Sequence, residues 1–305
     1  MRKVEILMST YNGEKFVEAQ IKSIVQQKNV DIHLTIRDDG SKDDTISIIK
    51  MQQKKYPDRI ALFEGENIGY RKSFLRLLDF AIDADYYGFA DQDDLWKEEK
   101  ISRAVECLEN AEKPICLYVG SLEIVDSNLQ EIDAKDISSI PNTLGSLFTR
   151  NRFAGCTFLF SRTCKELAQK FSKLNYPQNQ MSDHDFLVAA CAYSCGTVIL
   201  DSQKNILHIR HSSSVTSGGN GLKKRFQTEW NYVFNRRNVQ STLAKELLEK
   251  CSDKMPIGKE QLLSEIASYQ HNPRTKLRLL FDSDMNCGTF VCNLECKLKV
   301  LLNSY

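Results

Sequence analysis

An α/β fold with a mainly parallel sheet flanked by helices is predicted by three features of the first hundred residues. Apolar runs of strand length alternate with stretches whose apolar residues recur at helical spacing. Most of the runs close in a cluster of Gly, Asn, Asp or Ser. The order is strand, helix, strand, helix, strand, helix, strand, which is how parallel strands joined by helical crossovers are written in sequence.

Val4-Glu5-Ile6-Leu7-Met8 reads as the first strand and ends at Ser9-Thr10-Tyr11-Asn12-Gly13. Val17, Ile21, Ile24 and Val25 then fall on one face of a helix. Ile32 to Ile36 is the second strand, closed by Asp38-Asp39-Gly40-Ser41. Ser41 or Asp43 can cap the helix that carries Ile46 and Ile49. Ile60 to Phe63 is the third strand and Asn67-Ile68-Gly69 its turn, followed by the stripe Phe74, Leu77, Leu78, Ala81. Tyr86 to Ala90 is the fourth strand and runs straight into Asp91-Gln92-Asp93-Asp94.

Further on, Ile115 to Val125 reads as a strand, Asp133 to Thr143 as a loop, and Phe153 to Phe160 as a strand containing Gly155. Ser161 to Phe171 is helical, Phe186 to Tyr193 a buried helix, and Thr197 to Leu200 and Ile206 to Ile209 are short strands. The Ser- and Gly-rich stretch from Ser212 to Gly221 marks a boundary. Residues 1–215 are expected to form one domain in two halves, 1–100 and 101–215. Residues 216–305 follow as a helical extension, where Phe226, Trp230, Val233 and Phe234, then Leu243, Leu247 and Leu248, recur at helical spacing.

Composition narrows the function classes. Lys plus Arg is 41 and Asp plus Glu 40, so the whole-chain basic footprint of a nucleic-acid binder is absent. No run reaches the ~18 apolar residues of a membrane span. Val4 to Met8 is too short for a signal-peptide core, so a cytoplasmic location is expected. The ten cysteines contain no C-x-x-C pair, so a zinc ribbon is not expected and the thiols should be reduced. Cys287, Cys292 and Cys296 read as small buried hydrophobes on a C-terminal helix.

Ligands of parallel α/β sheets bind beyond the carboxyl ends of the strands. Three of those ends carry polar clusters, more than turn chemistry requires. Asp91-Gln92-Asp93-Asp94 places three carboxylates in four residues. It suits either a solvated cap on the helix expected near Lys97 or a hard cation such as Mg²⁺ or Mn²⁺. Asp38-Asp39-Gly40-Ser41 is either a turn with an N-cap or an acceptor for a base or ribose. Ser9-Thr10-Tyr11-Asn12 offers an aromatic face beside hydrogen-bonding groups, as a base pocket requires.

Together these segments, with Asn67-Ile68-Gly69 and Ala90-Asp91-Gln92-Asp93-Asp94-Leu95-Trp96, resemble the family 2 nucleotide-sugar glycosyltransferases. The Asp-Gln-Asp-Asp-Leu-Trp form is most similar to the bacterial rhamnosyltransferase branch. The resemblance implies the GT-A fold, with residues 1–100 the nucleotide-binding half and 101–215 the acceptor half, a divalent metal and an inverting transfer. By position it makes Ser9, Tyr11 and Asp39 the pyrimidine pocket, with Asp38 beside it and Asn12 near the nucleotide. Asp91 and Asp93 become the metal-binding pair, with Asp91 also at the donor and Asp94 supporting the turn or touching the sugar. Where relatives carry a small residue and then Arg-Asn, this chain has Tyr70-Arg71-Lys72-Ser73, and Arg71 or Lys72 is expected at the diphosphate. Asp185, in Ser182-Asp183-His184-Asp185-Phe186, matches the family's base, with Asp183 a rival and Phe186 in place of the usual Trp. His211, ending His208-Ile209-Arg210-His211, lines up with a family His near the metal or diphosphate.

The expected activity is transfer of a sugar, from dTDP-rhamnose or a UDP-hexose, to a hydroxyl of a glycan or lipid-linked glycan. Two other classes fit an α/β sheet with acidic turns: a nucleotidyltransferase that makes nucleotide-sugars, and a non-catalytic carbohydrate-binding module. The first normally carries a Gly-rich basic loop after strand one, and Ser9 to Gly13 is not such a loop. Basic residues of the extension, Lys223-Lys224-Arg225, Arg236-Arg237, Arg274, Lys276 and Arg278, are interleaved with apolar ones. They are read equally as a peripheral contact with the inner face of the membrane and as helices packed on the enzyme or in a homodimer.

Overall fold

A computed structural model describes residues 1–171, 182–210 and 237–305, together with Phe234. The chain divides into two compact units interleaved in sequence. The first takes the described residues of Met1–Ser138, Phe153–Lys173 and Thr197–His211, the second those of Ser139–Arg152, Leu174–Gly196 and Ser212–Tyr305.

In the first unit, strands β1 (Lys3–Thr10), β2 (Asp31–Asp38), β3 (Ile60–Glu64) and β4 (Tyr86–Ala90) pair in parallel in the order β3-β2-β1-β4. Helices α1 (Val17–Val25), α2 (Thr45–Lys55) and α3 (Tyr70–Phe80) connect them. Helices on a parallel sheet bury its strands on both faces, which is why β1 is buried almost throughout and carries Val4, Ile6, Leu7 and Met8. Val17, Ile21, Ile24 and Val25 of α1 share one core with Val4, Ile6, Met8, Leu34 and Ile36. Among the buried residues of β1 is a charged one, Glu5, which faces His33 in register; its carboxylate meets His33 Nδ1 at 2.8 Å and accepts from the Thr35 hydroxyl.

The chain continues with β5 (Asp94–Trp96), α4 (Lys100–Glu109), β6 (Cys116–Val125), β7 (Glu131–Lys135), α5 (Leu144–Thr149), β8 (Phe158–Ser161), α6 (Arg162–Gln169), α7 (His184–Cys195) and β9 (Thr197–Ile209). The strands complete a mixed sheet, β3-β2-β1-β4-β8-β6-β9-β5, with β7 paired to β6. The expected α/β sheet with flanking helices is present, parallel in its first half and mixed beyond β4.

Three local expectations change. The stretch read as a loop from Asp133 begins inside β7, a largely exposed edge strand of five residues whose only apolar members are Ile132 and Ala134, too short an alternation to stand out. The strand read from Phe153 starts only at Phe158, because Gly155–Thr157 form a 3-10 turn. The two strands read at 197–200 and 206–209 are one strand, β9, running parallel to β6 with register shifts on either side of Ser121. Its polar middle stays in the sheet because Asp201 is buried as an acceptor for Arg103 Nε at 3.0 Å and the Tyr118 hydroxyl at 3.1 Å.

The second unit is helical among its described residues: α5, α7, then α8 (Val239–Cys251), α9 (Ile257–Ser268), α10 (Pro273–Phe281) and α11 (Phe290–Leu301). Helix α7 is buried on all sides, as its apolar composition requires. Leu243 and Leu247 of α8 are core residues, as their spacing predicts. Cys296 lies buried on α11 and Cys292 half-buried on it, whereas Cys287 precedes the helix. The Ser- and Gly-rich boundary, and Phe226, Trp230 and Val233, lie outside the described residues.

Candidate active site

Strand order locates the site before any side chain is considered. The chain steps outward from β1 to β2 to β3, then returns to lay β4 on the far side of β1. Connections diverge there, which is where open α/β sheets form their ligand crevice, beyond the carboxyl ends of β1 and β4. Because β1 to β4 are parallel, Ser9 to Gly13, Asp38 to Ser41 and Asp91 to Asp94 emerge on that same edge.

The second of these loops is built around two buried carboxylates with different duties. Thr10 stands opposite Asp38 in register, and its hydroxyl donates to Asp38 Oδ2 at 2.8 Å. Ser41 adds its hydroxyl to the same oxygen at 2.6 Å and its N–H to Oδ1 at 2.7 Å; Gly40 N–H reaches Oδ1 at 3.1 Å. Asp38 therefore spends its acceptor capacity holding the turn. Asp39 instead reaches the turn before α3, accepting from Ile68 N–H at Oδ1 and from Gly69 N–H at Oδ2, each at 2.9 Å. Gly69 adopts φ +82°, a conformation that favours glycine, to present that N–H. Arg37 donates to Asp39 Oδ1 at 2.5 Å, to Ser73 Oγ at 3.0 Å and to the Glu66 carbonyl at 3.0 Å. Ser9 in turn donates to Ser73 Oγ at 2.6 Å, so Ser9, Ser73, Arg37 and Asp39 form one network.

The first loop is stitched to its neighbours. Asn12, with φ +48°, donates its N–H to Ser41 Oγ and accepts from Lys42 N–H, each at 2.9 Å. The Gln92 side chain pairs with the Tyr11 backbone as a strand neighbour would, accepting from its N–H at 2.9 Å and donating to its carbonyl at 3.1 Å. Gly13 is required by this contact: a Cβ there would meet Gln92 Oε1 at 2.3 Å. The Tyr11 ring is left 44% exposed, so its face is open to a ligand.

The acidic turn is crowded with negative charge. Ligand atoms of Asp91, Asp94 and Cys156 lie within 4.8 Å of one another. Burial, then the charges of Asp94 and Asp93, push the Asp91 carboxyl up to about 7. Asp94 is buried and meets His208 Nδ1 at 2.7 Å through Oδ1, across the β5–β9 ladder. That hydrogen bond raises the His208 pKa. The other oxygen, Asp94 Oδ2, finds no hydrogen-bond partner of the ordinary kind among the described residues. Burial and the two carboxylates hold the Cys156 thiol well above its ordinary range, so it stays neutral. Two converging carboxylates, a third adjoining them and an unsatisfied buried oxygen are a donor set that a hard divalent cation fits.

The remaining sequence-predicted residues are carried by helices α3 and α7. Arg71 is in the first turn of α3, its guanidinium 5.0 Å from the Tyr70 ring centroid. Asp185, in the second unit, opens α7 and accepts from Phe186 N–H at 2.6 Å; Asp183 is the N-cap residue. His211 falls outside the described residues. Sequence reasoning missed Arg37, Gln92 and His208. Only Arg37 left a signal: a cation next to last in β2, it stands two residues before Asp39 in the turn that follows.

The Glycosyl transferase family 2 profile matches residues 5–167. A dTDP-rhamnosyl transferase, RfbG of Shigella flexneri, is 30% identical over 230 residues, covering 72% of this chain and 77% of its own. Among solved structures, S. aureus TarS superposes with a TM-score of 0.56 at 15% identity, covering 92% of this chain and 75% of that one. A TarS structure in complex with UDP-GlcNAc gives 0.54 at 16% identity, covering 98% and 90%. The fold, the motifs on one sheet edge and these similarities agree: the chain is a glycosyltransferase and belongs to glycosyl transferase family 2.

Proposed function

We propose that the protein is a metal-dependent, inverting glycosyltransferase that moves a sugar from a nucleoside-diphosphate donor to a hydroxyl of a lipid-linked surface glycan at the cytoplasmic face of the membrane. The observation that carries this reading is the convergence of the acidic turn and the Ser9–Asp39 network on the crevice between β1 and β4. The rhamnosyl transferase relative makes dTDP-rhamnose the first donor to test.

In this reading Ser9, Tyr11 and Asp39 hold the pyrimidine, with Asp38 shaping the loop behind them and Asn12 at its edge. Arg37 orients Asp39, whose Oδ2 keeps acceptor capacity beyond its one N–H bond. Asp91 and Asp93, with Asp94 beside them, would hold Mg²⁺ or Mn²⁺. Such a cation, when bound, supplies charge neutralisation for a diphosphate leaving group. Arg71 at the start of α3 adds positive charge where a helix N-terminus already favours phosphate. Asp185 takes the proton of the acceptor hydroxyl as its oxygen attacks the anomeric carbon. The bond to the diphosphate breaks on the opposite side and the configuration inverts.

The test is incubation with a panel of nucleotide-sugars, following release of nucleoside diphosphate with an acceptor glycan, with and without chelator. Acceptor-dependent release that chelator abolishes is expected. Release of pyrophosphate from a nucleoside triphosphate and sugar phosphate would assign the nucleotidyltransferase class instead.

A further inference from the structure

Helix α11 is packed with its polarity inverted. Its buried residues are Glu295, Cys296, Lys299 and Val300, while Phe290, Val291, Leu294, Leu298, Leu301 and Leu302 stand exposed. The buried polar groups have partners: Arg150 Nη1 lies 3.3 Å from Glu295, and Lys299 Nζ donates to Gln240 at 3.2 Å. The orientation is thus fixed by specific bonds, and the apolar stripe is turned outward.

Helix α10 extends that stripe. Arg274, Leu277, Arg278 and Phe281 recur on its exposed side, while Thr275 and Leu279 are buried. The Lys297 ammonium lies 6.0 Å from the Phe281 ring centroid, and Lys276 Nζ donates to the Leu301 carbonyl at 2.9 Å, so the two helices present one face. Phe281 is 78% and Phe290 80% exposed. Scattered apolar residues on a surface are ordinary, but a contiguous set marks a binding surface.

Charge chooses the occupant. Neither helix exposes a carboxylate; Arg274 and Lys297 are exposed along the stripe, and Arg278, also exposed, is paired with Glu265 at 3.0 Å. A second copy docked by twofold symmetry would set this cationic face against itself. An anionic bilayer offers an apolar layer and negative headgroups together. Among the described residues no helix is long and apolar enough to cross a membrane, so the pair would lie in the interface plane. We infer that the α10–α11 face docks on an anionic lipid bilayer, with Phe281, Phe290, Leu294 and Leu298 entering the interface and Arg274 and Lys297 meeting headgroup phosphates.

The inference is independent of the sugar-transfer reading, and so is its test. The full chain is floated with vesicles of equal parts phosphatidylcholine and phosphatidylglycerol, and with phosphatidylcholine alone. Flotation with the anionic vesicles, weakened by salt, is expected. Phe281→Ser with Phe290→Ser should weaken partitioning at least ~10-fold. Arg274→Gln with Lys297→Gln should weaken it ~10-fold or more on anionic vesicles and leave neutral ones unaffected. Unchanged far-ultraviolet circular dichroism shows that these exposed-site variants still fold. Failure of the wild type to float, or equal binding to both vesicle types, overturns the inference. So does a sedimentation result in which the wild type is a dimer and Phe281→Ser with Phe290→Ser a monomer, which would make the face a contact between copies.

Discussion

Replacing Arg37 by Met tests how the donor pocket is held. The guanidinium is 8% exposed and donates to Asp39, Ser73 and the Glu66 carbonyl at 2.5, 3.0 and 3.0 Å. Met matches the length of the side chain and removes all three donors and the charge. The Asp39 carboxylate, 4% exposed, then keeps only its two N–H donors. Stranding one member of a buried ion pair costs about 3–5 kcal/mol. Because Ile68 and Gly69 still donate, the lower end, about 3 kcal/mol, is expected. Asp39→Asn alone should cost about 2 kcal/mol, since its amide group faces an N–H. In the Arg37→Met background the same change should cost less than ~1 kcal/mol, giving a coupling above ~1 kcal/mol. Urea unfolding of the four proteins measures the cycle, and titration calorimetry with nucleoside diphosphate measures the pocket. A coupling below ~0.5 kcal/mol, or unchanged nucleotide affinity in Arg37→Met, would refute the view that Arg37 sets Asp39 for the donor.

Four further outcomes are expected. Gly13→Ala should displace Gln92, break both bonds to the Tyr11 backbone and lower nucleotide affinity ~10-fold by calorimetry, with a smaller effect on unfolding. Asp93→Ala should abolish divalent-dependent donor binding; equal affinity with and without chelator in the wild type would remove the cation site. Asp185→Asn should lower turnover ~100-fold or more with donor affinity unchanged, and a loss within ~3-fold would exclude it as the base. Burial lowers the Lys100 ammonium to about 7, so between that value and its unfolded value the unfolded chain binds more protons and stability rises with pH. Urea midpoints of wild type and Lys100→Met should therefore converge as pH rises from ~7 to ~10.

The elements of the first hundred residues were legible because burial on both sheet faces writes a continuous apolar run, and a helix on that sheet writes a stripe. The motif segments were legible because turns at the strand ends need Gly, Asn, Asp and Ser. What escaped depends on neighbours distant in sequence. His208 meets Asp94 only through the pairing of β5 with β9, set by register rather than by local pattern. Gln92 reads as an ordinary polar residue between acids; its role exists only beside the Tyr11 backbone. Edge strand β7 is five residues long, and its alternation of Ile132 and Ala134 with charged residues is too brief to announce it. Amphipathicity was visible in the C-terminal helices, but a pattern cannot say which side packs, and α11 buries its Glu295 and Lys299.

Gln92 belongs to the acidic turn and grips the main chain of the loop that carries Tyr11. Asn12 on that loop also clasps Ser41 and Lys42. Three segments far apart in sequence thus behave as one stiff rim. In the proposed function, an incoming nucleotide meets walls already in place, with little freedom left to surrender on capture. Anything that loosens one segment should be felt at the other two, as slack running through a knotted cord.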